Sequence, residues 1–311
     1  MAEGHPGLGG NRLVLGGNPF GWTIGRDASL AVLDAFYEAG GRSIDTAEGY
    51  SNWVPGNQGG ESEAIIGEWM ESRGVRAEMR IATKTGQGGT PGAQAPEKVA
   101  AALQGSLERL RTDYVDLYYV HRDEPQTPID DVVAGYNALL GAGKVRELGI
   151  SNITPERLAA SLASAQRQGL QGWSVLQSGY NLVWRGEFPA ELQAIALAHG
   201  MAVLPYYGLA AGFLSGKYRS MADFGPGDRA QNATQFAEAG WQALPVLEAV
   251  ASECGASMAQ VALAWLASRP GIWGPLASAT TPGQVRELCG GASLALSDSQ
   301  LARLTAVSVD R

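Results

Sequence analysis

The chain has 311 residues, 45% hydrophobic and 17% charged, a profile that excludes disordered and fibrous classes and fits a globular protein. Its formal charge of −8 argues against a broad nucleic-acid surface, and no apolar run approaches the ~18 residues of a membrane span. The two cysteines, Cys254 and Cys289, follow neither a metal nor a disulfide spacing, so packed thiols and no metal site are expected.

The opening MAEGHPGLGG lacks the charged start and apolar core of a signal peptide. It reads as a loose leader over 1–10, ahead of one domain over 11–311 and a cytoplasmic location. Short apolar runs at 12–16, 42–45, 79–84, 114–121, 145–151, 173–177, 201–206 and 271–277 predict eight strands. Helical periods fall between them. After the first strand, DASLAVLDAFYEAGG puts Leu30, Leu33, Phe36 and Tyr37 along a helical face and closes with Gly40 and Gly41. After the third, Val99, Leu103, Leu107 and Leu110 recur at helical spacing behind Pro96, which suits a first turn because its missing N–H is not needed there. After the fifth, Thr154 can cap, Pro155 can start and Gly169 can end a helix.

Eight strand–helix repeats with near-continuous apolar strands predict a closed (β/α)8 TIM barrel. The rival, a doubly wound open sheet, should carry a G-x-G-x-x-G turn after its first strand, and LGGNPFGW does not match. A polar, glycine-containing segment at 215–240 reads as an extended loop after the seventh strand, where a ligand would be covered.

Barrel active sites gather at the C-terminal ends of the strands. Asp45 ends the second predicted strand and Tyr50 lies in its loop; Lys84 ends the third and His121 the fourth. Burying a lysine head is costly without an anionic partner, which Asp45 can supply. An ammonium beside a phenol favours the phenolate, so Lys84 is expected to lower the pKa of Tyr50 and let it deliver a proton, while His121 orients a substrate oxygen. Such a group suits carbonyl reduction once a hydride is supplied.

The stretches DTAEGY (45–50), ATK (82–84), DYVDLYYVHRDEP (113–125), GKVRELGISN (143–152), LPYYGLAAGFLSGKY (204–218) and PLASATTPGQVREL (275–288) together resemble the aldo-keto reductases. The resemblance covers nearly the whole chain and implies a barrel that binds NADPH, with NADH the other cofactor admitted, and reduces an aldehyde or ketone. It makes Asp45, Tyr50, Lys84 and His121 the catalytic four. Around the nicotinamide it puts Gly17, Asn18, Asp45, Ser151, Asn152 and Gln177, with Tyr206 stacked on the ring. Tyr207, Leu209, Gly212 and Lys217 would follow the pyrophosphate, and Ser278, Thr280, Gln284 and Glu287 the adenosine. Thr280 stands where many relatives carry an Arg or Lys for the 2′-phosphate, and Leu288 where many carry an Asn for adenine. Lys217, Arg219, Arg229 and Arg286 are the candidate substitutes.

The 51–60 loop is longer than the family's compact form, and within it and its neighbour Trp53 and Trp22 either line the substrate mouth or anchor their loops. The expected partner is a small-molecule carbonyl compound, with no nucleic acid and no membrane; oligomeric state is not readable. Two other readings stay open: a nucleotide-binding partner subunit with the same fold and little turnover, and an aldolase using Lys84 as a Schiff-base nucleophile, which Asp45 disfavours by keeping the amine protonated.

Overall fold

The computed structural model describes residues 5–9 and 12–308. Eight parallel strands, β1 (Val14–Gly16), β2 (Ser43–Asp45), β3 (Arg80–Thr85), β4 (Leu117–Val120), β5 (Leu148–Ser151), β6 (Val175–Gly179), β7 (Ala202–Tyr206) and β8 (Leu276–Ala277), pair in sequence order, with β8 beside β1. The ring is closed by the residues just before β8: the Trp273 N–H donates to the Val203 carbonyl at 2.9 Å, and the Val203 N–H to that of Gly271 at 3.2 Å. The expected strand over 271–277 therefore divides, its first part meeting β7 and its last two residues β1. The fold is a (β/α)8 barrel.

Helices wrap the ring: α1 (Arg26–Glu38), α2 (Glu61–Arg73), α3 (Pro96–Leu110), α4 (Ile129–Gly141), α5 (Pro155–Gln168) and α6 (Ala190–Ala198) follow β1 to β6 in turn. Their ends follow local chemistry. Thr154 accepts the Arg157 N–H at 3.3 Å ahead of Pro155, and Gly169 closes α5 in the left-handed region. Beyond β7 come α7 (Asp228–Thr234), α8 (Ala237–Cys254) and α9 (Met258–Ala267), and beyond β8 come α10 (Pro282–Ser293) and α11 (Asp298–Ala306).

Strand side chains alternate, so each strand serves two cores. Outward residues such as Leu15, Ile44, Ile81, Val120 and Ile150 meet the helices. Inward residues Val14, Ala82, Leu117, Tyr119, Val175, Ala202, Leu204 and Leu276 fill the barrel. Leu8 joins this inner layer at 1% exposure, its carbonyl accepting from Ser43 at the start of β2. Of the leader expected over 1–10, residues 5–9 thus pack against the barrel floor, and the remainder lies outside the described residues.

The segment at 215–240 carries more structure than an open loop. It contains a 3-10 turn at Met221–Asp223, all of α7 and the start of α8. Aromatic packing holds it: Phe213 lies 4.8 Å from Trp241 and Tyr218 4.4 Å from Phe224, ring centre to ring centre. Gly240 leaves the room, since a Cβ there would stand 2.1 Å from the Phe213 ring.

Candidate active site

Register places the cluster. Asp45 is paired with Ala82 and Lys84 with Tyr119, so the β2 carboxylate and the β3 amine both point inward near the C-terminal mouth. Lys84 Nζ donates to Asp45 Oδ1 at 2.5 Å, to the Thr46 carbonyl at 2.8 Å and to the Tyr50 hydroxyl at 3.0 Å. The Tyr50 hydroxyl is also 3.5 Å from Asp45 Oδ1, and Gln177 Nε2 donates to Asp45 Oδ2 at 2.9 Å. The His121 ring stands edge-on to Tyr50, 6.0 Å between centres. Four residues from three strand ends and one loop thus meet in one cluster.

Lys84 and Asp45 are fully buried. Burial opposes the ammonium, but the charge and hydrogen bonds of Asp45 and Tyr50 outweigh it and raise the Lys84 pKa. Tyr50 corrects the sequence expectation. Burial pushes its phenol above the ordinary range, by more than the Lys84 charge pulls it down, and Asp45 adds to the rise. The amine therefore acts against a stronger opposing desolvation, and the phenol stays protonated. The His121 imidazole is held well below its usual range by burial, then by Lys84 and Arg122, and its buried Nδ1 has no hydrogen-bond partner among the described residues.

Tyr50 and His121 open onto a cavity of about 760 Å³, within the usual range for small-molecule sites. Its wall includes Asn18, Trp22, Ser151, Asn152, Gln177 and Tyr206 on the barrel mouth. Tyr207, Leu209, Gly212 and Lys217 continue it after β7, and Ser278, Thr280, Gln284, Glu287 and Leu288 extend it to α10. Asp45 and Lys84 lie beneath Tyr50 rather than in the wall. Gly17 is absent from the wall: its N–H donates to the Asp45 carbonyl at 2.8 Å and its carbonyl accepts from Ser62 Oγ at 2.8 Å. Gly16 and Asn18 line the cavity in its place. Trp53 also stays outside, 39% exposed and edge-on to Trp22 at 5.3 Å and to Tyr50 at 6.4 Å.

The amides are tied together. Asn152, with φ of 50°, donates to the His121 carbonyl at 2.7 Å and to Ser151 Oγ at 3.0 Å, and accepts from the Tyr206 hydroxyl at 2.9 Å. The Glu187 carboxylate competes with Asn152 for that hydroxyl's single proton. At the far end Gln284 Oε1 accepts from the Thr280 N–H and hydroxyl at 2.8 and 3.0 Å. Arg219 pairs with Glu248 at 2.9 and 3.1 Å on the surface and does not line the cavity. Arg286 does not line the cavity, and the Arg229 side chain lies outside the described residues.

Sequence reading missed Gln87, Arg122, Trp184, Glu187, Asn232 and Gln235 in the wall. Arg122 follows His121 and Gln87 follows the third strand, so strand-end position was an available signal for those two. Asn232 and Gln235 come from the 215–240 segment, which was expected to cover a ligand without naming residues, and Trp184 and Glu187 from a connection without a recognisable pattern.

A parallel barrel with a buried amine–carboxylate–phenol group under an amide-lined cavity matches the class that the comparisons give, a nicotinamide-dependent oxidoreductase. The family model described as the aldo/keto reductase family matches residues 12–309, and the chain belongs to that family. It is 31% identical over 308 residues to norsolorinic acid reductase stcV of Emericella nidulans, covering 93% of this chain and 76% of that protein. It is 31% identical over 271 residues to an NADP(+) aryl-alcohol dehydrogenase of Phanerodontia chrysosporium, covering 80% and 68%. It is also 30% identical over 280 residues to a probable voltage-gated potassium channel subunit beta of Oryza sativa, covering 86% and 83%. The activity is NAD(P)H-dependent reduction of a carbonyl compound to an alcohol.

Proposed function

We propose that Tyr50 is the proton donor of this reduction, and that Lys84, Asp45 and His121 prepare it. The observation that carries the reading is the 3.0 Å contact from Lys84 Nζ to the Tyr50 hydroxyl, with Asp45 2.5 Å behind the amine. A phenol raised by burial remains loaded with its proton at neutral pH. When it gives that proton up, the ammonium beside it meets the forming phenolate, so stabilisation is concentrated where charge develops. His121, neutral at pH 7, offers a ring nitrogen to the substrate oxygen without adding a competing charge. Asp45 is fully engaged by Lys84 and Gln177, which holds the amine in register.

A bound nicotinamide supplies the hydride. The residues present fit such a group. Ser151, Asn152 and Gln177 offer in-plane amide and hydroxyl partners, Tyr206 an aromatic face, and Lys217 a charge beside the pyrophosphate path. We assign NADPH as the cofactor, as the NADP(+) aryl-alcohol dehydrogenase among the relatives suggests, and hold NADH as accepted because Thr280 leaves the 2′-phosphate without the basic clamp of many relatives.

The test is Tyr50→Phe. Reduction of 4-nitrobenzaldehyde should fall roughly 100- to 10,000-fold, the usual size of an acid–base contribution, while tryptophan-fluorescence titration shows NADPH still bound. Full activity in that variant would refute the assignment. The likeness to a potassium channel subunit favours a second reading, a nucleotide-holding partner subunit. Cofactor retained through purification with negligible reductase rate would support it.

A further inference from the structure

One charged group at the reacting end of the cavity is not used by the proton-transfer cluster. Arg122 follows His121 just beyond β4, is exposed, and lines the same cavity as Tyr50. Among the described residues, no carboxylate stands within ion-pair distance of its guanidinium. The acids nearest in sequence are already engaged, Asp123 by Arg157 at 2.8 Å and Glu124 by Thr127 and the Gln126 N–H. The acids of the wall are committed or remote: Glu187 meets the Tyr206 hydroxyl, and Glu287 belongs to α10 at the adenosine end. Lys217, the other cation of the wall, lies on the pyrophosphate side.

An unpaired guanidinium presents a planar fork of donors that matches carboxylate and phosphate oxygens. Gln87 and Trp22 line the same cavity as Arg122. Gln87 lines the cavity with a buried Oε1 that has no donor, against Gly49, where a Cβ would stand 2.1 Å from that oxygen. Trp22 supplies apolar wall on the same mouth.

We propose that Arg122 anchors the anionic end of the substrate, so that this enzyme acts on an aldehyde or ketone bearing a carboxylate or phosphate a few bonds from the carbonyl. The inference deepens the reductase reading and rests on it.

Matched substrate pairs test it with the NADPH-loaded protein: succinic semialdehyde against butanal, and glyceraldehyde 3-phosphate against glyceraldehyde. The anionic member of at least one pair should have the higher kcat/KM, by roughly 10- to 100-fold as expected for a charge-assisted contact. Which pair shows the larger ratio separates carboxylate from phosphate. Arg122→Met should collapse the ratio, Arg122→Lys should keep part of it, and added salt should shrink it. A ratio near one in both pairs, or one unmoved by Arg122→Met, overturns the proposal. A second measurement needs no turnover: calorimetric titration of 4-hydroxybutyrate and of butan-1-ol into the NADP+-loaded protein. An advantage for the acid that vanishes in Arg122→Met supports the subsite even if no carbonyl is reduced, an outcome that refutes the reductase reading alone. No advantage for the acid, together with no preference for glyceraldehyde 3-phosphate over glyceraldehyde, overturns the subsite.

Discussion

Lys84 and Asp45 form an ion pair with 0% and 1% side-chain exposure. Such a pair contributes modestly as a whole, but removing one partner strands the other charge without solvent. Lys84→Met should therefore lower stability by about 3–5 kcal/mol and also depress turnover; urea denaturation followed by circular dichroism reads the first. A variant as stable as wild type would mean that Gln177 and Tyr50 suffice to hold Asp45. His121 makes a separate pH prediction. Its folded pKa is depressed by burial, Lys84 and Arg122, so below about pH 6.5 the unfolded chain takes up a proton that the folded chain does not. Stability is then lost as pH falls from that point toward the folded pKa. Between about pH 7 and pH 5, the urea midpoint of His121→Gln should fall less than that of wild type. Parallel losses would remove His121 as a source.

Among the elements, β4 and β5 show how tightly the barrel interior is set. Tyr119 is fully buried beneath the cluster, and its ring occupies the space beside Gly149 on the neighbouring strand. A Cβ at Gly149 would stand 2.4 Å from that ring. Gly149→Ala should cost about 1–3 kcal/mol by overpacking, read as a lowered thermal midpoint. The double variant with Tyr119→Leu should recover part of the loss, because the ring that clashes is gone. No recovery would place the strain in the β5 backbone instead. The loop that carries Tyr50 is pinned in a similar way: Glu48 accepts from Thr85 Oγ1 and, at 3.0 Å, from the Gly86 N–H, which fastens it to the end of β3. Loop position and strand register together put the phenol above the amine.

At the scale of the whole molecule, the cavity runs from the mouth of the barrel at β4 to α10, so a dinucleotide would bridge elements far apart in the chain. Binding to the folded state alone adds about 2.7 kcal/mol at a hundredfold excess over Kd. NADPH should thus raise the thermal midpoint, and at equal concentration more than NADH if the 2′-phosphate finds a cation. An equal shift would make Thr280 the mark of a site indifferent to that phosphate. No helix among the described residues is long and apolar enough to cross a membrane.

The eight strands, the helix caps and the barrel were readable along the chain, because apolar runs, period 3.6 and residues such as Thr154, Pro155 and Gly169 act over a few positions. Asp45, Lys84 and His121 stood out for the same reason, each a polar residue ending an apolar strand. Other properties depend on groups that meet only after folding. Burial, not the neighbouring amine, sets the direction of the Tyr50 pKa; Ser62 and Asp45 turn Gly17 away from the cavity; Leu8 becomes part of the barrel floor; and Arg122 has no carboxylate partner among the described residues while Arg157 and Arg219 find theirs. Desolvation and ion pairing sum over residues separated by tens of positions, so only the tertiary structure decides them.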